Sequence, residues 1–529
     1  MPYPYKSIRE WFSDEEKLGN VVRISTPIKC GDYSNLVDIG FEKYNNNVPD
    51  PRGEMKGVLP ETEVRAVSRY LHSLPGKPIG IIEKPIDNRP DIPVVVNIWP
   101  NYERTLRGMG LKDKFELVKK LADMHDHKIK PVTIPKEKAL CKQVIIPEDK
   151  VDLTKDIPRV WVEFNKLCFT GCNGTIITYD PETGTHGLTK DRLGVFDWDN
   201  GDPNQPFPEE KVKKYGYATM PDPGHPAHGT AGRYYFDKYR AKDKPWPTVF
   251  VYGIPTDAHV LAAVKSLRWP ETGDEYEILG GFRGEPVELV ESETIPGLMV
   301  PAHAEWVIEG EFVSEDYRTP VNSEDLVLGW VWGEALWPLF RVKCITHRRE
   351  PLWTGATFSS LGHKDHQGVH SGLLISQNAN GIYKLRSMGY KVKDVVMRPW
   401  VTVVQLEVDG RDKPHPGYGE EVGRAVASKY TIVVGPDIDP YDLEEVLWAV
   451  GMRAGRSEWR DFPLPPPGAR PLPRYGMYTQ LTADMGFMVI DATIPVPERF
   501  DTFPPRTEPP AWENEAIERM KKKLGPKLG

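Results

Sequence analysis

The chain has 529 residues, 39% of them hydrophobic, with 15 Trp, 22 Tyr and 17 Phe. That is enough apolar material for about two to four packed domains. The formal net charge of -8 and pI near 6.0 exclude a polybasic surface for nucleic acid or anionic membrane. No run approaches the ~18 apolar residues of a membrane span, and the start, MPYPYKSIREW, lacks an apolar signal segment, so a soluble cytoplasmic protein is expected.

The first hundred residues read as mixed α/β. Ser7 and Glu10 have capping-box spacing ahead of a short amphipathic helix that Gly19 ends. VVRIS (21–25) follows as a strand, and PVVVNIW (93–99) is apolar enough for a buried one. Asp113 and Glu116 open another helix, which ends before Pro131. The region 141–350 is richest in strands: TVFVYGIP, VELVE, AEWVIEGEF and LFRVKCITH predict a barrel or a twisted antiparallel sheet. Two Pro/Gly-rich stretches, VFDWDNGDPNQPFPEEK and MPDPGHPAHGTAG, are long loops of the kind that carries function. Residues 371–388 read as a helix closed by Gly389. VTVVQLEV, GEEVGRAVAS and YTIVVG then read as a parallel strand–helix–strand crossover. DLEEVLWAVGMRA is a further amphipathic helix, and NEAIERMKKKLGPKL a charged one that packs on a neighbour or stays solvated. Cys30, Cys141, Cys168, Cys172 and Cys344 are scattered, which suits reduced thiols. Asp437, Asp439 and Asp442 lack the full calcium-loop pattern and read as a loop and an N-cap.

Several segments, in order, resemble the UbiD family of decarboxylases. VPAHAEWVIEGE (300–311) resembles its signature strand, and GDEYEILGGFRGEPVELVE (273–291) the segment before it. FRVKCITHRREPLWTG resembles the next strand, GPDIDPYDLEEVLWAV (435–450) the C-terminal strand-to-helix junction, and IDAT (490–493) the terminal motif. The resemblance spans about residues 5 to 495. It implies an α/β fold: an N-terminal α/β domain (1–140), a central β-rich split barrel that binds prenylated FMN (141–355), a linker loop and long helix (356–390), and a C-terminal α/β oligomerisation domain (391–495), with 496–529 as a tail helix. The implied activity is reversible, non-oxidative decarboxylation or carboxylation of an aromatic or heteroaromatic acid through a covalent adduct with prenylated FMN. Mn2+ or Mg2+ and K+ accompany the flavin, which a flavin prenyltransferase supplies. Carboxylation of an arene or phenol, or service as a non-catalytic subunit beside accessory carboxylase subunits, are the alternatives. A homodimer or homohexamer is expected.

Residue by residue, the resemblance assigns the metal to His228 and Glu275, hard or borderline donors suited to a divalent ion on a phosphate. The family's metal-binding Asn falls at Gly187, so Thr189, Asp191 or a backbone carbonyl is left to replace it. Thr189, Lys190, Asp191, Arg192, Ala227, His228, Ala262, Ala263 and Glu275 are expected around the cofactor. Arg192 is expected to hold the departing carboxylate, since a guanidinium offers two parallel hydrogen bonds. In RTPVNSEDLVLGW (318–330), Glu324, with Asp325 as the neighbouring option, takes the proton-donor position, while the family's first acid falls at Thr319 or Pro320. The family's phosphate-binding Lys falls at Met488. His363, His366 and His370, with Trp332, are expected to line the substrate pocket. Glu305 and Glu309, four apart on a strand, share a face and could be mistaken for a catalytic pair. The family places them outside the reacting groups, and no chemistry is assigned to them.

Overall fold

The structure, a computed structural model, describes residues 3–38, 58–86, 91–124, 126–160, 168–169, 174–191, 193–195, 209–218, 234–235, 237–264, 269, 272–319, 335–355, 371–398, 401–426, 428, 430–462, 487–495 and 511–528. The first helix, Ile8–Lys17, buries Ile8, Trp11, Phe12 and Glu15. Its start corrects the expected capping box. Ser7 is the N-cap residue, but its hydroxyl caps nothing, and Glu10 accepts from the Lys6 amide instead, at 2.8 Å. A three-stranded sheet follows, with Val21–Ile24 parallel to Ile79–Ile82 and Val94–Val96 antiparallel to it. The next helix expected, Lys114–Asp123, is capped by Asp113, which accepts from the amides of Phe115 and Glu116.

The largest sheet among the described residues has nine strands. Its main path runs Cys168–Phe169, Leu193–Val195, Tyr215–Ala218, Ala335–His347, Trp306–Thr319, Trp246–Tyr252, Gly174–Asp180, Thr185–Asp191. Val144–Pro147 also pairs with Ala335–His347. Every pairing is antiparallel. Alternate residues serve different cores. Trp306, Ile308, Phe250, Tyr252 and Ile176 join one apolar cluster, while Val307, Val249, Val251 and Ile177 join another. A period of two with both faces covered explains why these strands read as nearly continuous apolar runs.

The Ser371–Ser387 helix packs on both Lys114–Asp123 and Val392–Met397. Thr402–Leu406 and Tyr430–Val434 are parallel, joined across Tyr418–Val426, as the crossover reading expects. Phe487–Ala492, which carries most of IDAT, extends the sheet in parallel, and Trp459–Phe462 closes it antiparallel. Asp442 caps Leu443–Arg453, Asp437 pairs with Arg453, and Asp439 accepts from Tyr441, so this acidic run is a loop and a cap.

Candidate functional site

The strand Thr185–Asp191 lies at the end of the nine-stranded path, hydrogen-bonded on one side to Gly174–Asp180. Its alternate amides at 186, 188 and 190 therefore point away from the hairpin and need other acceptors. The His186 amide donates to Asp274 Oδ2 at 2.9 Å, that of Leu188 to Glu275 Oε2 at 2.5 Å, and that of Lys190 to the Ala262 carbonyl at 3.2 Å. One exposed strand edge is thus closed by the start of the Glu275–Arg283 helix and the end of Thr256–Leu261. This edge thereby joins Lys190 to Ala262, and Leu188, next to Thr189, to Glu275.

The Glu275 helix is set by its sequence. Asp274 caps it, with Oδ1 accepting from Tyr276 at 2.8 Å and Glu277 at 3.4 Å. The Gly280–Gly281 pair admits a neighbouring chain: a Cβ at either would lie within 2.5 Å of the Ile129 or His127 carbonyl oxygen. Glu275 is buried, and among the described residues its carboxylate meets one donor, Leu188 N, and no cation. Burial pushes its pKa up to about 8, against the lowering effect of the Leu188 amide.

Gly187 has a physical counterpart. A Cβ there would lie 2.6 Å from Trp269 Cδ2 and 2.6 Å from Thr178 Oγ1. The buried Trp269 indole, held by Nε1 donating to Thr185 Oγ1 at 3.1 Å, occupies the space an Asn would need. The Gly187 carbonyl accepts from Thr178 Oγ1 at 3.3 Å.

Arg192, Ala227, His228, Glu324, Asp325, Trp332, His363, His366 and His370 lie outside the described residues. So does most of the two long loops. Among the described residues no group of three or more His, Cys, Asp or Glu is arranged as a metal site, so the described part of this site supplies a single assigned metal donor, Glu275. Sequence reading missed His186, Asp274 and Trp269. The signals available for them were the Asp directly before Glu275 and the His directly before Gly187.

Glu305 and Glu309 are spoken for by structure. Glu305 accepts from Arg9 Nε at 2.7 Å and Nη2 at 2.6 Å, from Arg348 at 3.1 Å and from the Leu352 amide. Glu309 pairs with buried Lys142 at 3.0 Å and accepts from Ser292, Glu293 and Thr294. Cys30, Cys141 and Cys344 are buried and free of disulfides, and burial pushes the thiols of Cys141 and Cys344 up to about 12.

A family model described as the 3-octaprenyl-4-hydroxybenzoate carboxy-lyase Rift-related domain, UbiD, matches residues 132–361, and that family's C-terminal domain matches 376–457. The chain belongs to the UbiD family of carboxy-lyases. Its α/β fold matches solved UbiD-class structures along nearly the whole length. Vanillic acid decarboxylase from Sedimentibacter hydroxybenzoicus, in a closed form, is 20% identical with a TM-score of 0.68, covering 99% of each chain. The UbiD-class enzyme HmfF from Pelotomaculum thermopropionicum, as an evolved dimeric form in complex with prFMN, is 20% identical with a TM-score of 0.69, covering 96% of this chain and 98% of that one. The 3,4-dihydroxybenzoic acid decarboxylase of Klebsiella pneumoniae is 17% identical with a TM-score of 0.68, over 96% and 98%. At such identities the likeness carries the UbiD fold. No helix among the described residues is long and apolar enough to cross a membrane.

Proposed function

We propose that this UbiD-family chain is a reversible, non-oxidative decarboxylase or carboxylase of an aromatic or heteroaromatic carboxylic acid that works with prenylated FMN. Family membership supports the carboxy-lyase class, and the fold is shared with proteins named for vanillic and 3,4-dihydroxybenzoic acids and with one bound to prFMN. The observation that carries the reading is the edge of the Thr185–Asp191 strand, where the Leu188 amide is the one donor among the described residues to a buried Glu275 and the Lys190 amide meets the Ala262 carbonyl. A carboxyl whose pKa burial lifts to about 8 is one that a divalent ion would complete.

On this reading Glu275 and His228 would hold Mn2+ or Mg2+, which with K+ would neutralise the cofactor's phosphate charge, and Thr189, Lys190, Asp191, Ala227, Ala262 and Ala263 would border the cofactor. When bound, the prenylated flavin supplies the electron sink that departure of carbon dioxide from an sp2 carbon requires. Arg192 orients the carboxylate through paired hydrogen bonds. Glu324, with Asp325 beside it, delivers or removes the proton at the ring carbon. His363, His366, His370 and Trp332 shape the pocket. Thr189, Asp191 or a backbone carbonyl takes the third ligand position. A flavin prenyltransferase supplies the cofactor in the cytoplasm. The chain works as a homodimer or homohexamer, supported by the exposed apolar surface of Leu443, Leu447, Trp448 and Met452 on one C-terminal helix.

The Gly187–Trp269 packing favours a second reading, a non-catalytic subunit working beside accessory carboxylase subunits, because it closes the family's Asn position. Co-expression with a flavin prenyltransferase, followed by mass spectrometry of the purified protein, separates the two, since the subunit reading expects no flavin. For the enzyme, Glu275→Ala should lose the cofactor. Arg192→Ala should keep it and lose carbon-13 exchange between bicarbonate and the acid. Normal exchange in either variant would refute that residue's role.

A further inference from the structure

We infer that His186 and Asp274 form a positioning pair that sets the Glu275 carboxylate for its cation; this rests on the assignment of Glu275 proposed above. The two carboxylates that open the Glu275–Arg283 helix grip alternate amides of one strand edge: Asp274 takes His186, Glu275 takes Leu188. Asp274 is the hinge of the arrangement. Its Oδ1 caps the helix, and its Oδ2 accepts from both the amide and ring Nδ1 of His186, at 2.9 and 2.8 Å. The far ring nitrogen fixes the tautomer. Nε2 accepts from the Met299 amide at 3.0 Å, so Nδ1 carries the hydrogen given to Asp274. The Gly297 carbonyl lies 3.3 Å from the same Nε2. Tyr179 and Tyr276 flank the imidazole, with centroids at 5.0 and 5.4 Å, and Tyr276 is itself tied to the Met299 carbonyl at 3.1 Å.

The consequence is geometric. Glu275 is the first residue of its helix, and a rotation of that first turn would swing its carboxylate off the Leu188 amide. The cap alone fixes the turn relative to its own helix. The His186 ring fixes it relative to the strand that carries Thr189–Asp191. Groups that orient a metal donor in this way alter metal affinity by about 10- to 100-fold when removed.

The test uses the full chain, Mn2+ and ordinary FMN, with free Mn2+ read by electron paramagnetic resonance and folding checked by thermal melts. His186→Asn places an amide donor where Nδ1 stood. His186→Gln reaches the Nε2 position and leaves Asp274 without the ring donor. Asp274→Asn keeps the capping oxygen but can turn an NH2 toward two donors. We expect His186→Gln and Asp274→Asn to weaken Mn2+ binding by about 10- to 100-fold, His186→Asn to stay within about threefold, and the double variant to be no worse than the weaker single one. Wild-type affinity in His186→Gln, with Glu275→Ala binding none, would overturn this inference alone. Equal losses in His186→Asn and His186→Gln would assign the ring to packing and overturn it too. If the wild-type chain takes up no Mn2+ with FMN, the role of Glu275 falls with it.

Discussion

Glu275 sits under opposing influences. Its place at a helix N-terminus and the Leu188 amide favour the ionised form, while burial favours the neutral one, and burial prevails with a pKa of about 8 against an ordinary 4.5. A carboxyl whose folded pKa is raised gives its stability below the unfolded value, and that contribution is lost as pH rises through the folded one. In metal-free protein this window runs from 4.5 to about 8. Glu275→Gln should therefore match the metal-free wild type near pH 4 and exceed it near pH 9 by on the order of 5 kcal/mol. Denaturant titrations at both pH values check this, and equal midpoints at pH 9 would contradict the burial argument. The motif GDEYE made Glu275 legible in the sequence. Its partners were not, because His186 and Asp274 lie 88 positions apart and meet only when a strand edge needs acceptors.

Helices and strands here follow their local signals closely. The helices end at Gly19 and Gly389, Asp113 and Asp442 cap where the reading places them, and three of the four central strand runs fall into one antiparallel sheet, while VELVE joins a separate three-stranded sheet in which Glu288–Glu291 pairs parallel to Val132–Thr133. These depend on period and caps, which a short window contains. The capping box at Ser7 failed in its hydroxyl half, a choice between nearly equal local hydrogen bonds. Gly187 shows the opposite limit. The sequence marks a missing Asn, but only the folded hairpin reveals an indole in its space. Gly187→Asn should thus destabilise the protein by about 1–3 kcal/mol through overpacking. Shortening the indole in Gly187→Asn/Trp269→Ala should leave the added cost of the Asn smaller than in the wild-type background. A chemical-denaturation cycle measures that difference, and strict additivity would mean that the two side chains do not compete.

Across the molecule, charges buried between distant segments tie the layers together. Lys114, on a helix of the first quarter, is hydrogen-bonded to Asp394 at the start of the C-terminal sheet, and its ammonium lies 4.2 Å from the Tyr441 ring centroid. Burial lowers the pKa of Lys114 and raises that of Asp394, so each depends on the other for its charge. Lys114→Met should cost about 3 kcal/mol by stranding Asp394, and Lys114→Met/Asp394→Leu should regain most of it. Urea midpoints of the two variants decide this, and a double variant no better than the single one would mean that packing matters more than the pair.

Residues 3–9 behave as a clasp. Tyr3 donates to Asp257 at 3.0 Å, Lys6 to Glu288 at 2.5 Å, and Arg9 grips Glu305 through two nitrogens, each reaching more than 250 positions along the chain. Loss of residues 3–9 would therefore reach well beyond the segment itself. It would leave Arg348 as the one guanidinium among the described residues against a fully buried Glu305 beside the central sheet, and would take the Tyr3 hydroxyl from Asp257, which Arg283 would still hold through two nitrogens. For anyone preparing the protein, removing this segment thus halves the guanidinium grip on Glu305, a buried acid far along the chain.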